Sequence, residues 1–252
     1  MPPVTQAVGR HSSMNSSGHT VLITGGATGI GFAIAKKFHA SGNRVIVVGR
    51  SEQKLAAAAA ALPGISTCAA DVSSVTDRAR LVTTYSEVSI LVNNAGIQNI
   101  VPILESSPRD IEHELDVNFL SPVLLCRAFL PLLLQRESAA IVNVSSGLAL
   151  VPKQTASIYC ASKAALHSFS KTLRWQLEGT AVKVFEVLPS IVDTAMTAGR
   201  GRAKISPDRL AEEFWRGFQR DRFEMRIGLV KLFALLHRLS PSVVEILVRT
   251  GQ

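Results

Sequence analysis

Tyr159 and Lys163 stand four residues apart in the 252-residue chain. On a helix that spacing puts both on one face, where the lysine ammonium can approach the tyrosine hydroxyl. A free tyrosine, with a pKa near 10, is a poor acid or base at neutral pH, but a neighbouring cation favours the phenolate and lowers that value. The pair therefore has the makings of a general acid and base. Alone it means little, because such spacing is easily met by chance. Ser146 lies thirteen residues before Tyr159 (159 − 146), at the end of the apolar run 139–144. Its neighbour Ser145 would point the other way at that strand end. Cys160 adjoins Tyr159 but lies about 100° around the helix, as a structural cysteine would rather than a nucleophile.

A second group of residues could hold an anion. The loop Gly25, Gly26, Ala27, Thr28, Gly29, Ile30, Gly31 follows an apolar run and opens an amphipathic segment. Such a loop lets the backbone approach a pyrophosphate while the helix N-terminus faces its charge.

Both groups need elements to position them, and hydrophobic period supplies the order. Residues 20–24 form a β-branched run of the kind buried in a parallel sheet, 30–41 an amphipathic helix ending at Gly42, and 44–48 a second strand. An alanine-rich helix at 52–62 stops at Pro63-Gly64 before a third strand at 65–70. A helix at 74–86 and a strand at 88–92 follow, then a long helix at 108–135 expected to break at Ser121-Pro122. Next come strand 139–144, helix 156–178, strand 182–188, and a helix at 207–220 capped by Ser206 and started by Pro207. A seventh strand at 223–227 and terminal helices at 229–239 and 243–248 complete the chain. Strands alternating with helices predict an α/β fold, a doubly wound parallel sheet (Rossmann fold) of about seven strands with helices on both faces. Such sheets bind ligands at the carboxyl ends of their strands, where these motifs fall.

The spacing Thr-Gly-x-x-x-Gly-x-Gly at 24–31, Asn93-Asn94-Ala95-Gly96, Ser146 and Tyr159-x-x-x-Lys163 together resemble the short-chain dehydrogenase/reductase family over about residues 19–228. The resemblance implies a nicotinamide-dependent oxidoreductase interconverting a carbonyl and a secondary alcohol. It gives Tyr159 the acid and base role, Lys163 a hydrogen bond to the nicotinamide ribose, and Ser146 the polarisation of the substrate oxygen. Asn118 matches the asparagine that holds a water linking Lys163 to solvent. Asp71 and Val72 resemble the adenine-contacting pair, and Asp71 could also cap the following helix. Asn94, Ala95 and Gly96 resemble the cofactor-supporting turn, and Pro189, Val192 and Thr194 the segment contacting the nicotinamide amide. Ser190 departs from the glycine usual after this proline, which leaves the local backbone path open. Where an NAD enzyme needs an acidic residue after the second strand, this chain has Arg50. A guanidinium suits a 2′-phosphate, so NADP(H) is expected over NAD(H). The family commonly pairs through the two long helices at 108–135 and 156–178, which implies a homodimer or homotetramer. A cofactor-binding sensor or scaffold with little turnover is the alternative.

The rest of the composition bounds these readings. A single domain is expected at 19–252, with a helical extension from about 229, and residues 1–18 are polar, as in a disordered extension, with Met14 a possible start. The longest apolar runs fall short of the roughly 18 residues a spanning helix needs. Three cysteines without a Cys-x-x-Cys pair fit a reducing, cytoplasmic setting. The formal charge is +8, and its basic residues alternate with acids and apolar residues along the C-terminal part, as on a solvated face rather than a nucleic-acid surface. The six histidines form no ligand pattern, His113-Glu114 reads as helix surface, and no metal is expected. No Gly-x-Ser-x-Gly elbow surrounds Ser146, which argues against a hydrolase. Leu148, Leu150, Val151 and Met196 suggest an apolar substrate pocket. The segment Gly199-Arg200-Gly201-Arg202 could be a lid for acidic substrates or a solvated loop. The leucine-rich stretch from 229 could pack in the core, against another subunit or on a membrane.

Overall fold

The computed structural model describes residues 14–201, 203–240 and 248–249. Seven parallel strands form one sheet: β1 Thr20–Thr24, β2 Arg44–Gly49, β3 Ser66–Ala69, β4 Ile90–Asn93, β5 Ala139–Val144, β6 Val182–Pro189 and β7 Glu224–Ile227. Their order is β3-β2-β1-β4-β5-β6-β7. The chain steps outward from β1 to β3, then returns to β4 and builds the other half, so a crevice opens where β1 and β4 end. The central strand β5 is buried along its whole length, as expected of a strand covered on both faces.

Helices α1 (Gly29–Ala40), α2 (Glu52–Ala61) and α7 (Pro207–Gln219) cover one face, and α3 (Val75–Thr84), α5 (Ser121–Leu133) and α6 (Ser157–Gln176) the other. Phe38 of α1 meets Phe214, Trp215 and Phe218 of α7 with ring centroids 5.9, 5.2 and 5.4 Å away. Each such contact adds about 0.5–1.5 kcal/mol beyond burial, which fixes α1 and the loop at its start.

Three expectations need correction. The long helix does not break at Ser121-Pro122: α4 (Pro108–Leu115) runs through a π turn, Asp116–Leu120, into α5. The wider turn accommodates the proline, because Ser121 donates its N–H to Asp116 and the ladder resumes beyond it. The joined run Pro108–Leu133 thus has 26 residues, long and apolar enough by composition to span a membrane, but Leu125, Phe129 and Leu133 are packed in the sheet core. Residues 14–18 are not a loose extension. Met14 is buried, its N–H donates to the Asp221 carboxylate, and Asn43 donates to the Ser16 carbonyl. Glu114, expected on a helix surface, is buried and accepts the Asn99 N–H. Residues 1–13 lie outside the described residues, as do 241–247, which hold most of the terminal helix expected at 243–248.

Candidate active site

The glycine loop closes against the end of β4. Gly25 and Gly29 have φ of 62° and 55°, the left-handed region that glycine enters freely. A Cβ on Gly31 would lie 2.5 Å from both the Asn94 Nδ2 and the Gly25 carbonyl, so the side chain is excluded by close approach. Thr24 Oγ1 accepts the N–H groups of Asn94 (3.0 Å) and Ala95 (3.1 Å), and Asn94 Nδ2 donates to the Thr24 carbonyl (2.9 Å). Thr28 precedes α1 without a side-chain capping bond, which leaves the first-turn amides to an anion. These residues fit a dinucleotide phosphate.

At the outer end of the crevice, Arg50 follows β2 with its guanidinium 3.9 Å from Asp71 and 59% exposed. Burial opposes the charge of Asp71, but the Ser73 hydroxyl and N–H outweigh it and hold the carboxyl below its usual range. Asp71 does not cap α3; Ser74 does, accepting the Asp77 N–H. Val72 is buried beside it and its carbonyl accepts from Arg78.

Tyr159 and Lys163 lie on α6, and Ser146 lies just past β5, its hydroxyl accepting the Leu148 N–H at 3.1 Å. Ser145 is spent elsewhere, donating to the Lys163 carbonyl. Lys163 Nζ donates to the Val144 carbonyl at 3.0 Å and sits 5.8 Å from the centre of the Tyr159 ring. Asn118, fully buried in the π turn, clamps Ile97 by accepting its N–H and donating to its carbonyl, and also donates to Ser162. A Cβ on Gly96 would come within 3.2 Å of Asn118 Oδ1 and 3.7 Å of Lys163 Nζ, so this turn holds the two side chains close.

Tyr159 is half-buried, and burial pushes its pKa up to about 12, with Ser146 and the Arg200 charge acting against it. Burial also brings Lys163 down to about 8, opposed by the charge of Glu186. Cys160 is buried and accepts the Lys153 N–H, as a structural cysteine.

A cavity of about 380 Å³ opens beside Ser146, lined by Leu148, Leu150, Val151 and Met196 as expected, and by Pro189, Val192 and Thr194. Its further wall was not legible in the sequence: Val230, Phe233 and Ala234 of α8 (Val230–Leu239) face into it. Leu232, Leu235 and Leu239 on the same helix are exposed. Arg200 is no free lid residue, since it donates to Gln98 Oε1 and the Met196 carbonyl; Arg202 lies outside the described residues. The Ser190 hydroxyl sits over Gly228, where a Cβ would come within 2.2 Å of it. The backbone path after Pro189 is kept by pairing the serine with a glycine across from it. His167, Glu186 and Glu224 also converge within 4.8 Å, a cluster hidden by their separation along the chain.

The family model described as short chain dehydrogenase matches residues 19–204. The Bacillus subtilis oxidoreductase DltE is 44% identical over 189 residues, 73% of this chain and 75% of the relative. A short chain dehydrogenase from Burkholderia cenocepacia, solved with NADP, has a TM-score of 0.86 and 25% identity over 94% of this chain and 100% of that one. A short chain dehydrogenase/reductase from Burkholderia phymatum, solved with NAD, has a TM-score of 0.82 and 24% identity over 94% and 97%. The chain belongs to the short-chain dehydrogenase family, and so to the nicotinamide-dependent oxidoreductases.

Proposed function

We propose that the protein uses NADP(H) to interconvert a carbonyl and a secondary alcohol on a small, largely apolar molecule, with Tyr159 as the general acid and base. The observation that carries this reading is the placement of Ser146 in the wall of the apolar cavity with Ile30 of the glycine loop, and of Lys163 5.8 Å from the Tyr159 ring on the helix beside it. Bound between them, the nicotinamide would supply or take up hydride. Ser146 orients and polarises the substrate oxygen, and Tyr159 passes it a proton in reduction or withdraws one in oxidation. Its high pKa suits the acid role, because the phenol stays protonated at neutral pH. Oxidation requires positive charge nearby, which Lys163 provides together with a bond to the ribose. Asn118, whose side-chain amide is committed to Ile97 and Ser162, takes the place of the family asparagine that holds a water between Lys163 and solvent.

Gly25, Gly26, Ala27, Thr28, Gly29, Ile30 and Gly31 take the pyrophosphate, Asp71 and Val72 the adenine side, and Asn94, Ala95 and Gly96 brace the cofactor. Pro189, Val192 and Thr194 meet the nicotinamide amide. Relatives hold either NADP or NAD, so the preference for NADP(H) rests on Arg50. We also propose a cytoplasmic homodimer or homotetramer joined through the long helices, on which Leu115, Leu120, Leu134 and Trp175 are exposed. The test is NADPH consumption across a panel of apolar ketones and aldehydes. Sustained turnover supports the enzyme; NADPH binding without turnover on any of them would favour a sensor.

A further inference from the structure

A row of polar side chains crosses the otherwise apolar sheet beneath α5 and α6. Asn93 of β4 pairs in register with Asn143 of β5, Asn143 with Glu186 of β6, and Glu186 with Glu224 of β7. The first two are hydrogen-bonded to each other at 2.9 Å, and Asn143 donates to Ser170 of α6. Glu186 is 1% exposed. One of its oxygens accepts from His167 Nδ1 at 2.8 Å, while the other, Oε1, is buried without a hydrogen-bond partner. A buried carboxylate left half-satisfied is costly unless a cation nearby offsets it.

The cations that could do so are few. On α6, Lys163 lies one turn before His167, with Lys171 and Arg174 beyond. From β7, Arg226 is paired with Glu224 at 2.7 Å. Arg174 donates to the carbonyls of Val184 and Phe223. Lys163 is itself buried, and its ammonium has one carbonyl, that of Val144, as acceptor, next to the register partner of Glu186. Glu186 is thus shared among His167, Arg174 and Lys163, and it is the acidic group that acts on the buried Lys163.

We propose that Glu186 is a positioning residue of the active site, the buried counter-charge that holds Lys163 in its ammonium form. The Glu186 charge acts against the burial that lowers the Lys163 pKa, in the direction the proposal needs. His167 fixes the carboxylate by its hydrogen bond, which in turn holds the imidazole above its ordinary pKa. A metal ion between His167, Glu186 and Glu224 is the competing account of the cluster. The hydrogen-bonded pair is favoured, because Glu224 is already matched by Arg226 and Arg174 faces the same group.

The inference rests on the catalytic reading of Lys163. It is tested by the pH profile of ketone reduction by NADPH in Glu186→Gln, which keeps the shape and an acceptor for His167. Losing the counter-charge moves the alkaline fall-off to lower pH, so the ratio of variant to wild-type rate should drop about fivefold between pH 6.5 and 9. His167→Asn disturbs the same packing but keeps the carboxylate, and its ratio should stay level. A flat ratio in Glu186→Gln, or an equal drop in His167→Asn, overturns the proposal, as does loss of wild-type activity in EDTA restored by Zn²⁺. Should Glu186→Gln not fold, Glu186→Leu, which removes the charge without leaving a buried amide, carries the test, with the same drop expected and a flat ratio again contradicting it. Undiminished turnover in Lys163→Ala would instead sink the catalytic reading itself.

Discussion

Replacing Arg50 with alanine should separate the two nicotinamide cofactors. Its guanidinium is 59% exposed and its contact with Asp71 is 3.9 Å long, so a 2′-phosphate would displace a weak, solvated pair. A charge-assisted hydrogen bond contributes about 1.5–3 kcal/mol. Solvent screening at this exposed site reduces the useful part to about 1.5–2 kcal/mol, or about 10–30-fold in affinity. Titration by NADPH fluorescence should show Kd raised by about that factor in Arg50→Ala. NADH binding should change by less than about twofold, and the NADPH difference should shrink as salt is added. Equal weakening of both cofactors, or none of either, would refute the assignment of Arg50 to the 2′-phosphate.

Three further outcomes follow from the geometry. Ketone reduction should hold level through neutral pH and fall as pH rises through about 8, where the buried Lys163 loses its proton, because Tyr159 stays protonated to about 12; a fall below pH 7 would contradict this. Gly228→Ala drives a Cβ to within 2.2 Å of the Ser190 hydroxyl and should cost about 1–3 kcal/mol in denaturant unfolding. Ser190→Gly should recover only part of that, because Gly228 has a φ of 71° and an alanine there keeps about 1–2 kcal/mol of left-handed strain; no recovery at all in the double variant would show the clash lies elsewhere. Phe233→Ala should raise KM for bulky apolar ketones severalfold while NADPH affinity stays put, since Phe233 lines the cavity and not the glycine loop; a matched loss of NADPH binding would argue against that placement.

The parallel sheet was readable because its central strands are uninterrupted β-branched runs, and Ala139–Val144 was placed to the residue. The order of glycine loop, serine and tyrosine–lysine pair located the site, because each motif sits at the end of its own strand or on the helix beside it. What escaped were tertiary effects. Nothing local marks 116–120 as a π turn, since the widening answers a proline beyond it. Glu114 and Glu186 carry the same side chain as any surface glutamate, and only packing shows that they are buried. The α8 leucine pattern signalled an amphipathic helix but not that its Val230, Phe233 and Ala234 close the cavity. The burial that raises the Tyr159 pKa is likewise a product of packing that residue spacing does not show.

Whether the Tyr159 phenol transfers the proton at this site is decided by single-turnover oxidation of enzyme-bound NADPH by a ketone, compared between wild type and Tyr159→Phe. The variant keeps the ring and its packing, so NADPH should bind within about threefold of wild type, while hydride transfer slows by at least about a hundredfold, in keeping with the loss of a general acid. A Tyr159→Phe enzyme that oxidises bound NADPH at close to the wild-type rate would contradict the account.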